Sequence, residues 1–252
     1  MGHLDGRVAL VTGVSRRQGI GYAIATRLAG LGAELFVQHH VPHDAEQPWG
    51  ADSVDEVVAG IGGRVEHLGL DLAEPDAPDR LVAAAVEAYG RVDVLVCNHA
   101  RSGGDGPLGE LDAAMLDAHH AVNTRSTILL AQAFARQHDG ARGGRVVLMT
   151  SGQNLGPMPG EVAYAASKGA LVGILPTLSH HLIRQGITVN AVNPGPTDTG
   201  YATPEVHEWV RERMPLGRWG RPDDAARLVS WLCTDDAGWV TGQVINSEGG
   251  FR

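Results

Sequence analysis

The stretch "TGVSRRQGIG", Thr12 to Gly21, follows the apolar run Val8-Ala9-Leu10-Val11 and precedes a segment with helical apolar periodicity. A glycine-rich turn between a strand and a helix is where α/β proteins hold phosphates. Glycine permits the tight turn and the close backbone approach, and the helix amino end supplies N–H donors and a positive dipole. The spacing here is unusual, because five residues separate Gly13 from Gly19 where the common dinucleotide fingerprint has one. Two of those five, Arg16 and Arg17, are basic. Beside a phosphate they are ligands; in a plain strand-to-helix turn they are two solvated charges.

Outward from this loop, apolar runs of strand length recur at 7–12, 34–39, 64–68, 93–97, 145–150, 187–192 and 243–246. Most are Val-, Leu- and Ile-rich without polar alternation, the mark of strands covered on both faces. Helical patterns lie between them at 19–29, 52–59, 77–89, 108–137, 161–185 and 223–233. Strand then helix, repeated, predicts right-handed βαβ units and one α/β domain over 1–252, built on a doubly wound, mostly parallel seven-stranded sheet. No linker or repeat divides the chain. Two excursions follow strands, "VPHDAEQPWG" at 41–50 and the segment 201–220. Loops at the carboxyl ends of such strands are where these sheets bind ligands.

Composition excludes several classes of partner. A formal charge of −9 and an aromatic content of 5% argue against a nucleic-acid partner, which calls for basic surface and stacking platforms. Cys97 and Cys233 are the only cysteines. They make neither a disulfide framework nor a metal-ligand spacing, so no metal site is expected and both thiols are expected reduced in the cytoplasm. Residues 1–6 are short and polar, unlike a secretory leader. No window is expected to reach the roughly 18 apolar residues of a membrane span, so no membrane partner is expected.

A second constellation is sharper. "YAASK" sets Tyr164 and Lys168 at i and i+4, on one face of a helix. Ser151 ends the fifth strand, thirteen residues before Tyr164, and Asn123 lies in the long fourth helical segment, forty-one residues before it. A Tyr–Lys helix pair alone is weak, but its conjunction with a strand-end Ser, a helix Asn and a glycine loop is hard to reach by chance.

Here the chain resembles the short-chain dehydrogenase/reductase (SDR) family, nearest its 3-oxoacyl-[acyl-carrier-protein] reductase-like ketoreductases. Beside the two motifs above, the resemblance rests on "LDL" at 70–72, "DVLVCNHA" at 93–100, "GGRVVLMTS" at 143–151, "ITVNAVNPGPTDT" at 187–199 and the tail 220–250. It implies a single-domain Rossmann fold and an NAD(P)(H)-dependent oxidoreductase interconverting a carbonyl and a secondary alcohol on a small-molecule substrate. The implied catalytic residues are Asn123, Ser151, Tyr164 and Lys168. Tyr164 would supply the proton, with Lys168 favouring its phenolate. Ser151 would hold the substrate oxygen, and Asn123 a water on the proton path behind Lys168.

The implied cofactor contacts are Gly13, Ser15, Arg16, Arg17, Gly19, Ile20 and Gly21 in the first loop, His39 at the end of the second strand, and Asp71 and Leu72 beside the adenine. Asn98, Ala100, Tyr164, Lys168, Pro194, Gly195, Thr197 and Thr199 complete the set. The family loop is TGxxxGxG, so two additional residues enlarge the turn here. Ala100 replaces a family glycine, and His99 reads as a packed residue. NADP(H) is favoured over NAD(H), because His39 stands where NAD users often carry Asp and Arg16 and Arg17 can meet a 2′-phosphate. Asp44 and Glu46 are near enough to leave NAD open. Segment 197–218 is read as a substrate lid, with Asn154, Leu155, Met158, Pro159, Trp209 and Met214 around the substrate. The long helices suggest a homotetramer. Two readings stay open: an NAD-dependent alcohol dehydrogenase of the same fold, and a non-catalytic nucleotide-binding member. A Rossmann-like methyltransferase would have no reason to keep Ser151, Tyr164 and Lys168.

Overall fold

The computed structural model describes residues 2–140 and 143–251. Seven parallel strands form one sheet in the order β3-β2-β1-β4-β5-β6-β7. They are β1 (Val8–Val11), β2 (Glu34–His39), β3 (Val65–Gly69), β4 (Val94–Cys97), β5 (Gly144–Met149), β6 (Ile187–Asn193) and β7 (Val244–Asn246). The unbroken apolar runs have a direct cause. Successive side chains of a strand point to opposite faces, and both faces carry a core. Ala9, Val11, Leu35, Val37, Val94, Val96, Val147 and Met149 enter one cluster with helices α1 (Ile20–Gly30), α3 (Val54–Ile61) and α9 (Pro222–Leu232). Leu10, Phe36, Leu95, Cys97, Val146 and Leu148 enter the other, with α4 (Ala77–Tyr89), α6 (Ser126–Gln137) and α7 (Val162–Leu182).

The strand order reverses between β1 and β4, so the loops after these two strands open a crevice at the carboxyl edge. The excursion at 41–50 contains a short helix, α2 (Val41–Ala45), and that at 201–220 contains α8 (Pro204–Arg213). The helix expected over 108–137 is divided. Asp112 accepts the Met115 N–H at 2.8 Å and starts α5 (Ala113–His119) five residues late, and a π-turn (His120–Arg125) joins it to α6. The expectation about membrane-length segments needs correction. Val162–Gln185, α7 with its closing 3-10 turn, is long and apolar enough to cross a membrane by length and composition. Its small apolar residues raise the average, yet Ser167, Lys168, Leu171, Leu175 and Leu182 are buried within the fold. A helix packed on a parallel sheet needs such a face in any case.

Candidate active site

The glycine loop is built by its neighbours. Asn98, just past β4, donates its side-chain amide to the carbonyls of Thr12 (3.0 Å) and Gly13 (3.1 Å). Gln38, buried in β2, accepts the Gly13 N–H at 2.9 Å and donates to Leu70 O at 2.7 Å. Gly13 has φ +72°, and a Cβ on Gly21 would stand 2.4 Å from the Gly13 carbonyl and 2.6 Å from Asn98, so both positions require glycine. Asn98→Ala leaves two loop carbonyls without this donor. The expected cost is about 1–3 kcal/mol, read by calorimetry as a fall in melting temperature of roughly 2–4 °C per kcal/mol. An unchanged melting temperature would dismiss this account of the loop.

The crevice fits a nucleotide phosphate. Helix α1 begins at Gly19 with no side-chain cap and no acidic residue in its first turn, which leaves its leading N–H groups and positive dipole end for an anion. Ile20 packs against the core behind them.

The two arginines part company. Arg16 donates to Thr199 O at 2.7 Å and lies over the Trp49 ring, joining loops from β1 and β6, three places apart in the sheet. Arg17 turns to α3, where it meets Asp52 (3.6 Å) and Glu56 (3.2 Å). Ser15 donates to Asp44, whose other oxygen accepts the Trp49 indole N–H at 3.0 Å. The excursion at 41–50 therefore folds back onto the enlarged turn. His39 pairs with His67 at 3.2 Å, and burial, then His67 and His40, lower its pKa. Asp71 accepts the Ala73 N–H at 2.8 Å and stands 3.9 Å from His40; Leu72 is buried.

The loop after β6 is held by its own polar groups. Asn193 accepts the Gly195 N–H at 3.0 Å, and the Thr197 hydroxyl reaches Pro194 O (3.3 Å) and Gly195 O (3.2 Å). Ala100 needs no glycine conformation, since among the described residues no non-glycine residue has positive φ. His99 is packed, as its surroundings dictate. Thr12 and Ser126 hydroxyls hold its ring nitrogens at 2.6 and 2.7 Å. Burial, then Lys168, pushes its pKa down to about 3.

At the far side of the crevice, Ser151 follows β5, and Tyr164 and Lys168 sit in the first two turns of α7. The side chain of Ser151 acts on the Tyr164 phenol, favouring its ionised form. Lys168 is 2% exposed; its ammonium donates to Met149 O at 2.9 Å and lies 5.8 Å from the Tyr164 ring centre. Burial lowers its pKa to about 8, which still leaves it largely cationic at neutral pH. Tyr164 is shifted upward by burial and then by Glu161, with Ser151 a partial offset. The phenol is thus held in its protonated form. Asn123, fully buried in the π-turn, accepts the Arg101 N–H at 2.7 Å and donates to Arg101 O (3.2 Å) and Ser167 Oγ (2.8 Å). Its side chain ties the loop after β4 to α7.

Around the expected lid, Trp209 is half exposed, with Arg213 over its ring. Met214 is buried with Val210 and Trp219 as a small core of its own, and is therefore not free to line a substrate. Gln38 and Trp49 escaped sequence reasoning, and Asp44 was weighed there only for cofactor choice. Gln38, a polar residue that follows the apolar Leu35–Val37 of its strand, left a signal.

The comparisons agree with this geometry. The family model described as enoyl-(acyl carrier protein) reductase matches residues 13–252. The oxidoreductase YjdA of Bacillus subtilis is 42% identical over all of this chain and 99% of its own length. The 3-oxoacyl-[acyl-carrier-protein] reductase of Thermotoga maritima is 33% identical over 98% of each chain. A short-chain dehydrogenase from Burkholderia cenocepacia, solved in complex with NADP, superposes with a TM-score of 0.86 at 36% identity over 98% of each chain. With its fold, its crevice and these relatives in accord, the chain belongs to the short-chain dehydrogenase/reductase family of oxidoreductases.

Proposed function

We propose that the protein is an NADP(H)-dependent ketoreductase in which Tyr164 is the proton donor. The observation that carries this reading is the convergence of Ser151, Tyr164 and Lys168 at the crevice, with Lys168 buried, its ammonium held by Met149 O at 2.9 Å and standing 5.8 Å from the Tyr164 ring centre. A bound nicotinamide supplies the hydride, which no side chain can. Ser151 holds the carbonyl oxygen by hydrogen bond, and Tyr164 transfers its proton to that oxygen. Lys168 stabilises the phenolate left behind, and the proton returns through Lys168. Gly13, Gly19 and Gly21 admit the phosphates; Pro194, Gly195, Thr197 and Thr199 line the nicotinamide side.

NADP(H) is favoured because β2 ends in His39 rather than an acid and both Asp44 oxygens already take donors. The Burkholderia relative's NADP complex adds support. Oxidation of NADPH or NADH, followed by absorbance with ethyl acetoacetate and a panel of simple ketones and aldehydes, tests the reading. Turnover with NADPH is expected, and silence across the panel with both cofactors overturns it.

A homotetramer is the expected assembly. Strand β7 is a sheet edge, and Trp239 (98% exposed), Trp231 and Val244 offer apolar surface close to it in sequence. An unpaired edge beside exposed tryptophans is surface that a second copy covers. Light scattering at micromolar concentration should give four times the chain mass; a monomer would refute the assembly.

A further inference from the structure

Asp105 belongs to the loop after β4, "SGGDGP", where sequence alone suggests only a turn. Its carboxylate is not at the surface. One oxygen accepts the Gly106 N–H (2.8 Å) and the Ala163 N–H (3.0 Å), and the other accepts the N–H of Tyr164 itself at 2.7 Å. The side chain is 4% exposed. Gly106 O takes the Val162 N–H at 3.4 Å. The first three N–H groups of α7 are therefore all held by this one loop.

His119, the last residue of α5, is fully buried beside the carboxylate. Its Nδ1 lies 2.9 Å from Met115 O, and its Nε2, which has no hydrogen-bond partner, lies 4.0 Å from Asp105.

We infer that Asp105 is a positioning residue for Tyr164, setting the backbone of the proton donor from outside its own helix. The inference rests on the reading of Tyr164 as the proton donor. A carboxylate at a helix amino end is favoured by the helix dipole, which adds to the N–H groups that hold Asp105 there. The phenol itself is influenced by Glu161 at the amino end of α7, Ser151 after β5 and Tyr201 before α8, with Lys168 beside its ring. Burial alone would raise the Asp105 pKa, but the N–H groups of Tyr164, Ala163 and Gly106, with His119, hold it low, so the charge is present throughout the working range.

The test compares Asp105→Ala and Asp105→Asn with the wild-type enzyme, using NADPH and ethyl acetoacetate or whichever panel ketone the wild type turns over best. Asp105→Ala frees the Tyr164 backbone and should lower kcat by about tenfold to a hundredfold, the scale of small misplacements at a reacting centre. KM for the ketone and the NADPH dissociation constant should stay within about twofold, because no contact to either is touched. Asp105→Asn keeps one acceptor oxygen, so its amide NH2 must face either the Tyr164 N–H or the N–H groups of Ala163 and Gly106. It should lower kcat less than Asp105→Ala does, again with KM and the NADPH dissociation constant within about twofold. Thermal melts confirm that each variant is folded; if the Ala variant is not, kcat of the Asn variant decides. Wild-type kcat in the folded Asp105→Ala or, where that variant does not fold, in Asp105→Asn overturns the inference, as does a rise in KM or in the NADPH dissociation constant as large as the fall in kcat. A wild-type enzyme without turnover on the whole panel overturns the reading of Tyr164 instead.

Discussion

Tyr164→Phe is expected to lower turnover by a factor on the order of several hundred or more, the scale of lost acid catalysis, while NADPH binding stays near wild type. The substitution removes one oxygen and leaves the ring and its helix in place. Lys168 keeps its bond to Met149 O at 2.9 Å and with it its buried place behind the crevice. Chemistry and binding therefore separate, which single-turnover measurements and an NADPH fluorescence titration read independently. Because burial and Glu161 raise the Tyr164 pKa, wild-type reduction should hold up through neutral pH, where the phenol is protonated, and decline only in alkaline solution. Near-normal turnover in Tyr164→Phe would sink the assignment of the proton donor.

The fold was legible because its signals are local and repeated. The central strands β1, β4 and β5 are short runs rich in Val and Leu and sit between two apolar clusters, so the unbroken hydrophobicity read from sequence had a single physical cause. The Tyr164–Lys168 pair was legible for the same reason: helical spacing alone puts both on one face. What sequence could not reach were pairings across long separations. Asp105 meets Tyr164 fifty-nine residues on, and Ser15 meets Asp44 twenty-nine residues on. Nothing in "GGDGP" or "VPHDAEQPWG" declares a partner. The π-turn at Asn123 was likewise hidden, because periodicity there is compatible with one continuous helix. His99 was read correctly as packed from its place after a buried strand, but its Thr12 and Ser126 partners required the sheet register that brings β1 beside β4.

The arginines of the opening loop give the second large effect, and the structure redistributes it between them. Arg17 already has Asp52 and Glu56 as partners in exposed surroundings, so Arg17→Ala should leave NADPH affinity within about twofold, as for most surface ion pairs. Arg16 donates to Thr199 O through one nitrogen and keeps further guanidinium N–H groups for a phosphate. If it holds the 2′-phosphate, Arg16→Ala removes one or two charge-assisted bonds of about 1.5–3 kcal/mol each. NADPH affinity then falls roughly tenfold to a few hundredfold. NADH lacks that phosphate, but it would still feel the loss of the Thr199 bridge and of the Trp49 contact. The ratio of the two affinities therefore isolates the phosphate from the bridge. It is to be measured at one moderate salt concentration, because exposed charges are screened. Equal losses for NADPH and NADH would assign Arg16 to the bridge between the β1 and β6 loops and remove the argument for NADP(H). A selective NADPH loss in Arg17→Ala instead would place the phosphate on the α3 side of the loop, where Asp52 and Glu56 would have to release their arginine to it.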